Sequence, residues 1–437
     1  MNSLPFYRRR LDLLARMREG VAIIPTAPER VRNRDTTFPY RADSYFHYLT
    51  GFPEPEAVLV LVAGDHPQSI LFCRQKDVEK EIWDGFRHGP EGAREVFGFD
   101  VAYPIADFDS RIAELLADQP ALWYALGHDA DWDTRIAAAL NAVRAQARAG
   151  KRAPGAIHDV RAALDEMRLI KDGHEIALMR KAAAIAGDAH RRAMRFTAPG
   201  RFEYEVEAEF LHEFRRQGSQ SPAYSPIVAG GTNACVLHYV GNDQRLRAGD
   251  LLLIDAGCEV DGYASDITRT FPVNGRFSGP QADVYDLVLD AQTAAIAATK
   301  PGASFLAPHD AAVRVLAQGM IDLKLLEGSV DGVITSGAYK RFYMHRTGHW
   351  LGLDVHDAGE YRHGPGDDDW RLLAPGMTLT VEPGCYIRAA DDVPAAFHGV
   401  GVRIEDDLLV TREGCEVLTA DTPRNIADIE ALMAHGQ

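Results

Sequence analysis

Four carboxylates and one imidazole stand where charged side chains are costly. Asp255 ends the apolar run Leu251-Leu252-Leu253-Ile254, and Asp266 opens Ile267-Thr268-Arg269-Thr270-Phe271. Glu382 follows Met377-Thr378-Leu379-Thr380-Val381, Glu405 follows Gly401-Val402-Arg403-Ile404, and His349 lies between Gly348 and Trp350. A buried carboxylate is ordinarily paired or bound to metal. Four carboxylates cannot neutralise one another, and one imidazole cannot neutralise four, so the simplest resolution is a pair of divalent cations. Taken singly, each residue reads as a surface or ion-paired group, and Asp266 has Arg269 as a ready partner. Taken together, in apolar contexts throughout, they read as one shared metal site.

The spacing supports that reading. Asp266 lies 11 residues after Asp255, so a hairpin turning at Asp261-Gly262 can set both carboxylates side by side on neighbouring strands. Pro383 biases Glu382 toward extended backbone. In Val402-Arg403-Ile404-Glu405 the two-residue period turns Arg403 and Glu405 to the same face, and Asp406-Asp407 begins the exit from it. Oxygen donors with a single imidazole and no thiolate suit Mn2+, and accept Co2+ or Zn2+. Two such ions, about 3.5–4 Å apart, can hold a bridging hydroxide and polarise a carbonyl. His345 and His349 stand at i, i+4, but Gly348 and Gly352 argue against a helix and the glutamate of a HExxH protease motif is missing. His345, His238 and His356 stand as acid–base or carbonyl-stabilising candidates.

Two domains are expected to position these residues, because 437 residues exceed one typical core. In the first, Val21–Ile24, Ala57–Ala63, Ser69–Cys73 and Ala121–Leu126 read as strands, and Asp133–Arg148 as an amphipathic helix. A breaker cluster at Gly150–Gly155, a helix over Asp159–Leu169 and the interruption at Lys171-Asp172-Gly173 put the boundary at 172, giving domains 1–172 and 173–437. The second domain reads as helices 174–196, 280–300 and 307–318, strands 251–256 and 266–273, and a strand-rich block over 342–411. Helix pairs followed by strand pairs, twice over, point to a duplicated α+β fold with helices outside a curved sheet. Asp367-Asp368-Asp369 reads as an acidic loop tip.

Composition excludes several functions. The chain has 47 basic and 63 acidic residues, for a net charge of −16. No basic surplus exists for nucleic acid or an anionic membrane. No apolar run reaches the ~18 residues of a membrane span, and the amino terminus lacks a signal-peptide core. Five cysteines, dispersed without CxxC spacing, suit a reducing compartment. A cytoplasmic protein is expected.

The segments Leu251–Gly257, Asp266–Pro272, Gly348-His349-Trp350-Leu351-Gly352, Val381-Glu382-Pro383-Gly384 and Val402–Asp406 resemble the metal motifs of the pita-bread metallopeptidases, and among them most closely the bacterial aminopeptidase P family. Tyr48-Leu49-Thr50-Gly51-Phe52, Pro55–Leu59 and Trp83-Asp84-Gly85-Phe86-Arg87 resemble that family's creatinase-like first domain. The resemblance implies a metal-dependent enzyme that releases the residue before a proline (Xaa-|-Pro-Xaa) through attack by a metal-bridging hydroxide. It implies Asp255 on one metal, His349 and Glu382 on the other, and Asp266 and Glu405 bridging. It assigns His238, His345 and His356 to the substrate and its carbonyl, and Glu382 to the proton transfers. Arg403 and Tyr361 fall at supporting or proton-relay positions beside the substrate. Trp83 falls on a loop that reaches a neighbouring subunit's active site, which implies a homotetramer or a dimer. Among rivals, an Xaa-Pro dipeptidase ordinarily has a longer insertion than the 23 residues between Glu382 and Glu405. A metal-free creatinase-like hydrolase lacks the complete carboxylate set, and a binding protein has no use for idle buried carboxylates.

Overall fold

The structure, a computed structural model, describes residues 4–366 and 369–434. Asp367 and Asp368 of the expected acidic loop tip lie outside the described residues. The chain divides into two compact units, Met1–Arg168 and Leu169–Gln437.

The first unit is built on a six-stranded mixed sheet in the order Val101–Pro104, Gln68–Cys73, Val58–Ala63, Gly20–Pro25, Ala121–Trp123, Ala156–His158. The three central strands pair antiparallel and the outer ones add in parallel. Val21, Ile23, Val58, Val60, Ile70 and Phe72 pack beneath Phe108, Ile112, Ile136 and Leu140 of two covering helices. The four strands expected from sequence are present, but 121–126 stops at Trp123. The edge strands Val101–Pro104 and Ala156–His158 are additional. The expected 133–148 helix begins at Ala130, because Asp129 accepts the amides of Asp131 and Trp132 as its N-cap.

In the second unit helices enclose short antiparallel sheets. The helices Gly173–Phe196, Glu203–Arg216, Gly279–Ala298 and Ala307–Asp322 supply the outer layer. Asp172 and Glu175 close a capping box on the first of these. Ile227–Gly230, Leu251–Asp255 and Thr268–Pro272 form one sheet, and Thr378–Val381, Asp406–Val410 and Cys415–Val417 another. Gly384–Ile387 pairs with Val400–Arg403. A large apolar core runs through both helix-and-sheet halves, with a smaller cluster of Ile227, Ala229, Leu253 and Tyr386 beside it, as the pita-bread arrangement expects.

Two expectations need correction. Residues 342–377 contain no regular strand among those described; they run as turns and bends held by single bridges such as Trp350↔Leu379. Asp266 also precedes its strand, which starts at Thr268. Its amide donates to the Asp407 carboxylate (3.1 Å) instead of entering the ladder. Between the two strands, Asp261 and Gly262 both adopt positive φ (52° and 81°) and close a small extra hairpin, Cys258–Val260 with Tyr263–Ala264.

Candidate metal centre

The five candidate ligands come from the ends of these strands. Asp255 is the last residue of Leu251–Asp255, Glu382 follows Thr378–Val381, and Glu405 sits between Val400–Arg403 and Asp406–Val410. His349 comes from the irregular stretch but is tied to a strand: its amide donates to Thr380 Oγ1 (3.2 Å) and its carbonyl accepts the Thr380 amide (3.0 Å). Gly348 makes that approach possible, since a Cβ there would lie 2.0 Å from the Thr380 carbonyl oxygen. Gly257 does the same beside Asp255, where a Cβ would meet the Ser265 carbonyl at 1.7 Å.

All five side chains line one cavity of about 960 Å3, together with Tyr224, His238, His345, His356, Tyr361 and Arg403. One donor atom each from Asp266, His349 and Glu405 lie within 4.8 Å of one another. His349 Nε2 is 3.4 Å from Asp266 and 3.8 Å from Glu382. Its Nδ1 faces the Trp350 carbonyl at 2.9 Å, so Nδ1 carries the proton and Nε2 presents a lone pair to the carboxylates. Among the described residues Arg403 is the only arginine ion-paired to this set, through Asp255 at 2.6 Å. Its remaining nitrogens meet Thr268 Oγ1 and the Tyr386 hydroxyl, and Thr268 in turn donates to Glu405 at 2.7 Å.

The electrostatics favour added positive charge. Burial, then Asp255, pushes the Asp266 carboxyl well above its ordinary value; burial, then Asp266, does the same to Glu405. Glu382 is pushed up to about 8 by burial and Glu405. Tyr224 directs its hydroxyl at both Asp255 and Asp266, yet a phenol has one proton to donate. The second contact requires a proton or cation on the carboxylate pair. Hard oxygen donors, one imidazole lone pair and an unbalanced negative charge fit divalent cations.

The histidines border this cluster. His356 packs edge-on against His349 with ring centroids 4.2 Å apart, and burial followed by His349 lowers its pKa. His345 Nε2 meets the Tyr386 hydroxyl at 2.8 Å, and burial and Arg403 lower its pKa to about 3, keeping it neutral. His238 lies on the exposed side of the cavity. Tyr361 stacks on Trp350 at 5.5 Å and accepts the Trp350 amide, so its own O–H proton is available to the cavity. Trp83 lies in the first unit, 87% exposed, on the helix Val78–Asp84, which buries none of its residues.

Sequence reasoning missed Tyr224, Thr268 and Tyr386, whose hydroxyls orient the acidic groups. It also took Asp406 and Asp407 for an exit, whereas both are buried. Asp406 pairs with Arg269 at 2.7 Å, both side chains having no exposure, so Arg269 is not the partner of Asp266.

Comparisons with known proteins agree with this geometry. Residues 177–412 match the model of metallopeptidase family M24, and residues 6–123 that of the aminopeptidase P N-terminal domain. The chain is 45% identical to an Xaa-Pro aminopeptidase of Escherichia coli over 98% of its own length and 97% of the relative's. It is 47% identical to one of Haemophilus influenzae, over 99% and 98%. Among solved structures it superposes with a TM-score of 0.97 on the aminopeptidase PepP of Pseudomonas aeruginosa, at 50% identity and covering 100% of this chain and 99% of that one. The TM-score is again 0.97 for zinc-substituted E. coli aminopeptidase P in complex with product, at 44% identity with the same coverage. The chain belongs to the M24 metallopeptidases, with the aminopeptidase P type of amino-terminal domain.

Proposed function

We propose that this protein is an Xaa-Pro aminopeptidase that releases the amino-terminal residue from peptides with proline second. The observation that carries the reading is the convergence of four carboxylates and an imidazole in one cavity bordered by three histidines, in a chain akin to Xaa-Pro aminopeptidases over its full length. Asp255, Asp266, His349, Glu382 and Glu405 would hold two cations, with Mn2+ favoured by the oxygen-rich set and Co2+ or Zn2+ acceptable. The chemistry such ions supply is acidification of a water and polarisation of a carbonyl.

The chain's own groups account for the rest. The carboxylates attract the free α-ammonium of a peptide, which confines cleavage to the first residue. A prolyl nitrogen has no N–H and must be protonated to leave; Glu382, facing both His345 and His349, is placed to take a proton from the attacking water and deliver it there. Neutral His356, with His238, would donate to the peptide carbonyl and to the negative charge that develops on it, while His345, its Nδ1–H given to the Arg346 carbonyl (2.7 Å) and its Nε2 to the Tyr386 hydroxyl (2.8 Å), would border the substrate without donating to that carbonyl. Arg403 fixes the Asp255 carboxylate and Tyr386, while Tyr361 and Phe305 form an aromatic wall for the ring. Trp83, exposed on the first unit, would complete a neighbour's site in a homotetramer or dimer. Among the described residues no helix is long and apolar enough to cross a membrane, and we place the protein in the cytoplasm.

The test is turnover by metal-stripped, Mn2+-reloaded protein on Xaa-Pro-Xaa, Xaa-Pro and Xaa-Ala-Xaa. Cleavage of the proline tripeptide alone is expected. Cleavage of the dipeptide alone makes the protein a dipeptidase, and no turnover with two ions bound overturns the reading.

A further inference from the structure

Glu203, the first residue of the helix Glu203–Arg216, is completely buried and lies outside the metal cluster. A buried carboxylate without a cation is costly unless every oxygen is satisfied. Here four donors satisfy it. Oε1 accepts from the Gly230 amide at 2.7 Å and from Asn233 Nδ2 at 3.1 Å. Oε2 accepts from the Tyr239 hydroxyl at 2.7 Å and from the Gln244 amide at 2.9 Å. All four belong to one segment, 230–244, that leaves the sheet after Ile227–Gly230 and returns before Leu251–Asp255. The Glu203 amide also donates to the Gln244 carbonyl (3.0 Å). One side chain thus ties the start, the middle and the end of that segment.

The segment is a wall of the cavity. Leu237, His238 and Val240 all line it, and Tyr239, between them, is held by Glu203. Arg388 on the Cys235 carbonyl (3.0 Å) and Asn242 on Glu207 and the Pro226 carbonyl hold its flanks, while the tip stays open, with Val236 and Val240 47% and 57% exposed. We propose that Glu203 is a positioning residue for the cavity wall carrying His238, setting where that imidazole meets a bound peptide. The inference rests on the function proposed above for the same cavity. Glutamine at 203 keeps the shape but turns one acceptor into a donor, facing either an amide N–H or the Asn233 amide and the Gly230 N–H. The wall then loses the tether that joins its start, middle and end, without any change in the candidate metal ligands.

The test is a double-mutant cycle on kcat/KM for an Xaa-Pro-Xaa peptide with wild type, Glu203→Gln, His238→Ala and the double variant, alongside metal content and amide exchange. Glu203→Gln is expected to lower kcat/KM by roughly 10–100-fold, as for a misplaced contact group, with metal content unchanged. The double variant should fall no further than His238→Ala alone, because both changes remove the same contact. Exchange should rise at Gly230 and Gln244 while Leu251–Asp255 stays protected. Losses that multiply, a uniform rise in exchange, or an unaffected Glu203→Gln overturn the inference. Should Glu203→Gln not fold, Tyr239→Phe, which removes one hydroxyl and keeps the ring, enters the same cycle with the same criteria. Absence of wild-type turnover overturns the proposed function; the exchange pattern still decides whether Glu203 tethers the wall.

Discussion

Asp266→Asn separates what the acidic cluster does for activity from what it costs the fold. In the metal-free protein, burial and then Asp255 hold the Asp266 carboxyl well above its ordinary 3.8, so the native state holds a proton there more tightly than the unfolded chain does. The native state binds the extra proton, and stability is therefore lost as pH rises from the ordinary value toward the native one. Each pH interval by which the native value exceeds the ordinary one is worth about 1.4 kcal/mol against the native state at neutral pH. Asparagine is neutral at every pH, does not incur this cost and still accepts from Tyr224. Counting a single such interval, the metal-free variant should be stabler than wild type by about 1 kcal/mol, or about 2–4 °C in melting temperature. Saturating Mn2+ should reverse the order, since wild type gains about 2.7 kcal/mol per site at a hundredfold excess over Kd and the variant binds more weakly. Peptidase activity should vanish. Calorimetry in chelator and in Mn2+, with metal content measured on the same samples, makes the comparison. A variant that melts below wild type in chelator, or holds two ions with full turnover, refutes the reasoning.

Other perturbations probe the support around the cluster. Lys171→Met removes the cation from a pair 2.8 Å apart whose side chains are each 1% exposed. Leaving Asp357 buried should cost about 3–5 kcal/mol, and Lys171→Met/Asp357→Leu should recover most of it in a urea titration. His356→Ala should lower kcat by roughly 10²–10³-fold with little change in KM; steady-state kinetics showing only a KM effect would reduce His356 to a binding group. His190 is fully buried with Nε2 donating to the Ala256 carbonyl, and burial lowers its pKa to about 3. Its contribution is complete above the unfolded value of 6.5 and is lost as pH falls below it. The stability difference between wild type and His190→Gln should thus shrink by about 2 kcal/mol between pH 7 and 5, as read from paired denaturation curves.

The convergence of Asp255, Asp266, Glu382 and Glu405 on one cavity was legible because each stands at the edge of an apolar run, and such a placement has few physical excuses. The central strands of the first unit were legible for the complementary reason, being short β-branched runs between breakers. Tyr224 was not: a tyrosine in Pro222-Ala223-Tyr224-Ser225 makes no pattern, and only folding brings it against Asp255 and Asp266. Asp406 and Asp407 misled because adjacent acids look solvated; their burial depends on Arg269, 137 residues away from Asp406. Residues 342–377 misled because buried aromatics such as Tyr343 and Trp350 mimic strands in composition while forming turns. Val101–Pro104 and Ala156–His158 are too short to show a period. Assembly leaves no such local mark, and the resemblance to aminopeptidase P alone supplied that expectation.

The division of the five candidate ligands between the two halves of the second unit has a consequence for synthesis. Asp255 and Asp266 are made with the first half, whereas His349, Glu382 and Glu405 arrive with the second. At about 5–20 residues per second, the 150 residues from Asp255 to Glu405 take about 8–30 s to translate. Throughout that interval the first two carboxylates and Tyr224 exist without the groups that complete the cluster. Until the second half is made, a growing chain holds only two of the five candidate groups, so on the reading proposed above full loading would await the docking of the halves, and a bound pair of ions would report that the whole unit had been made and closed.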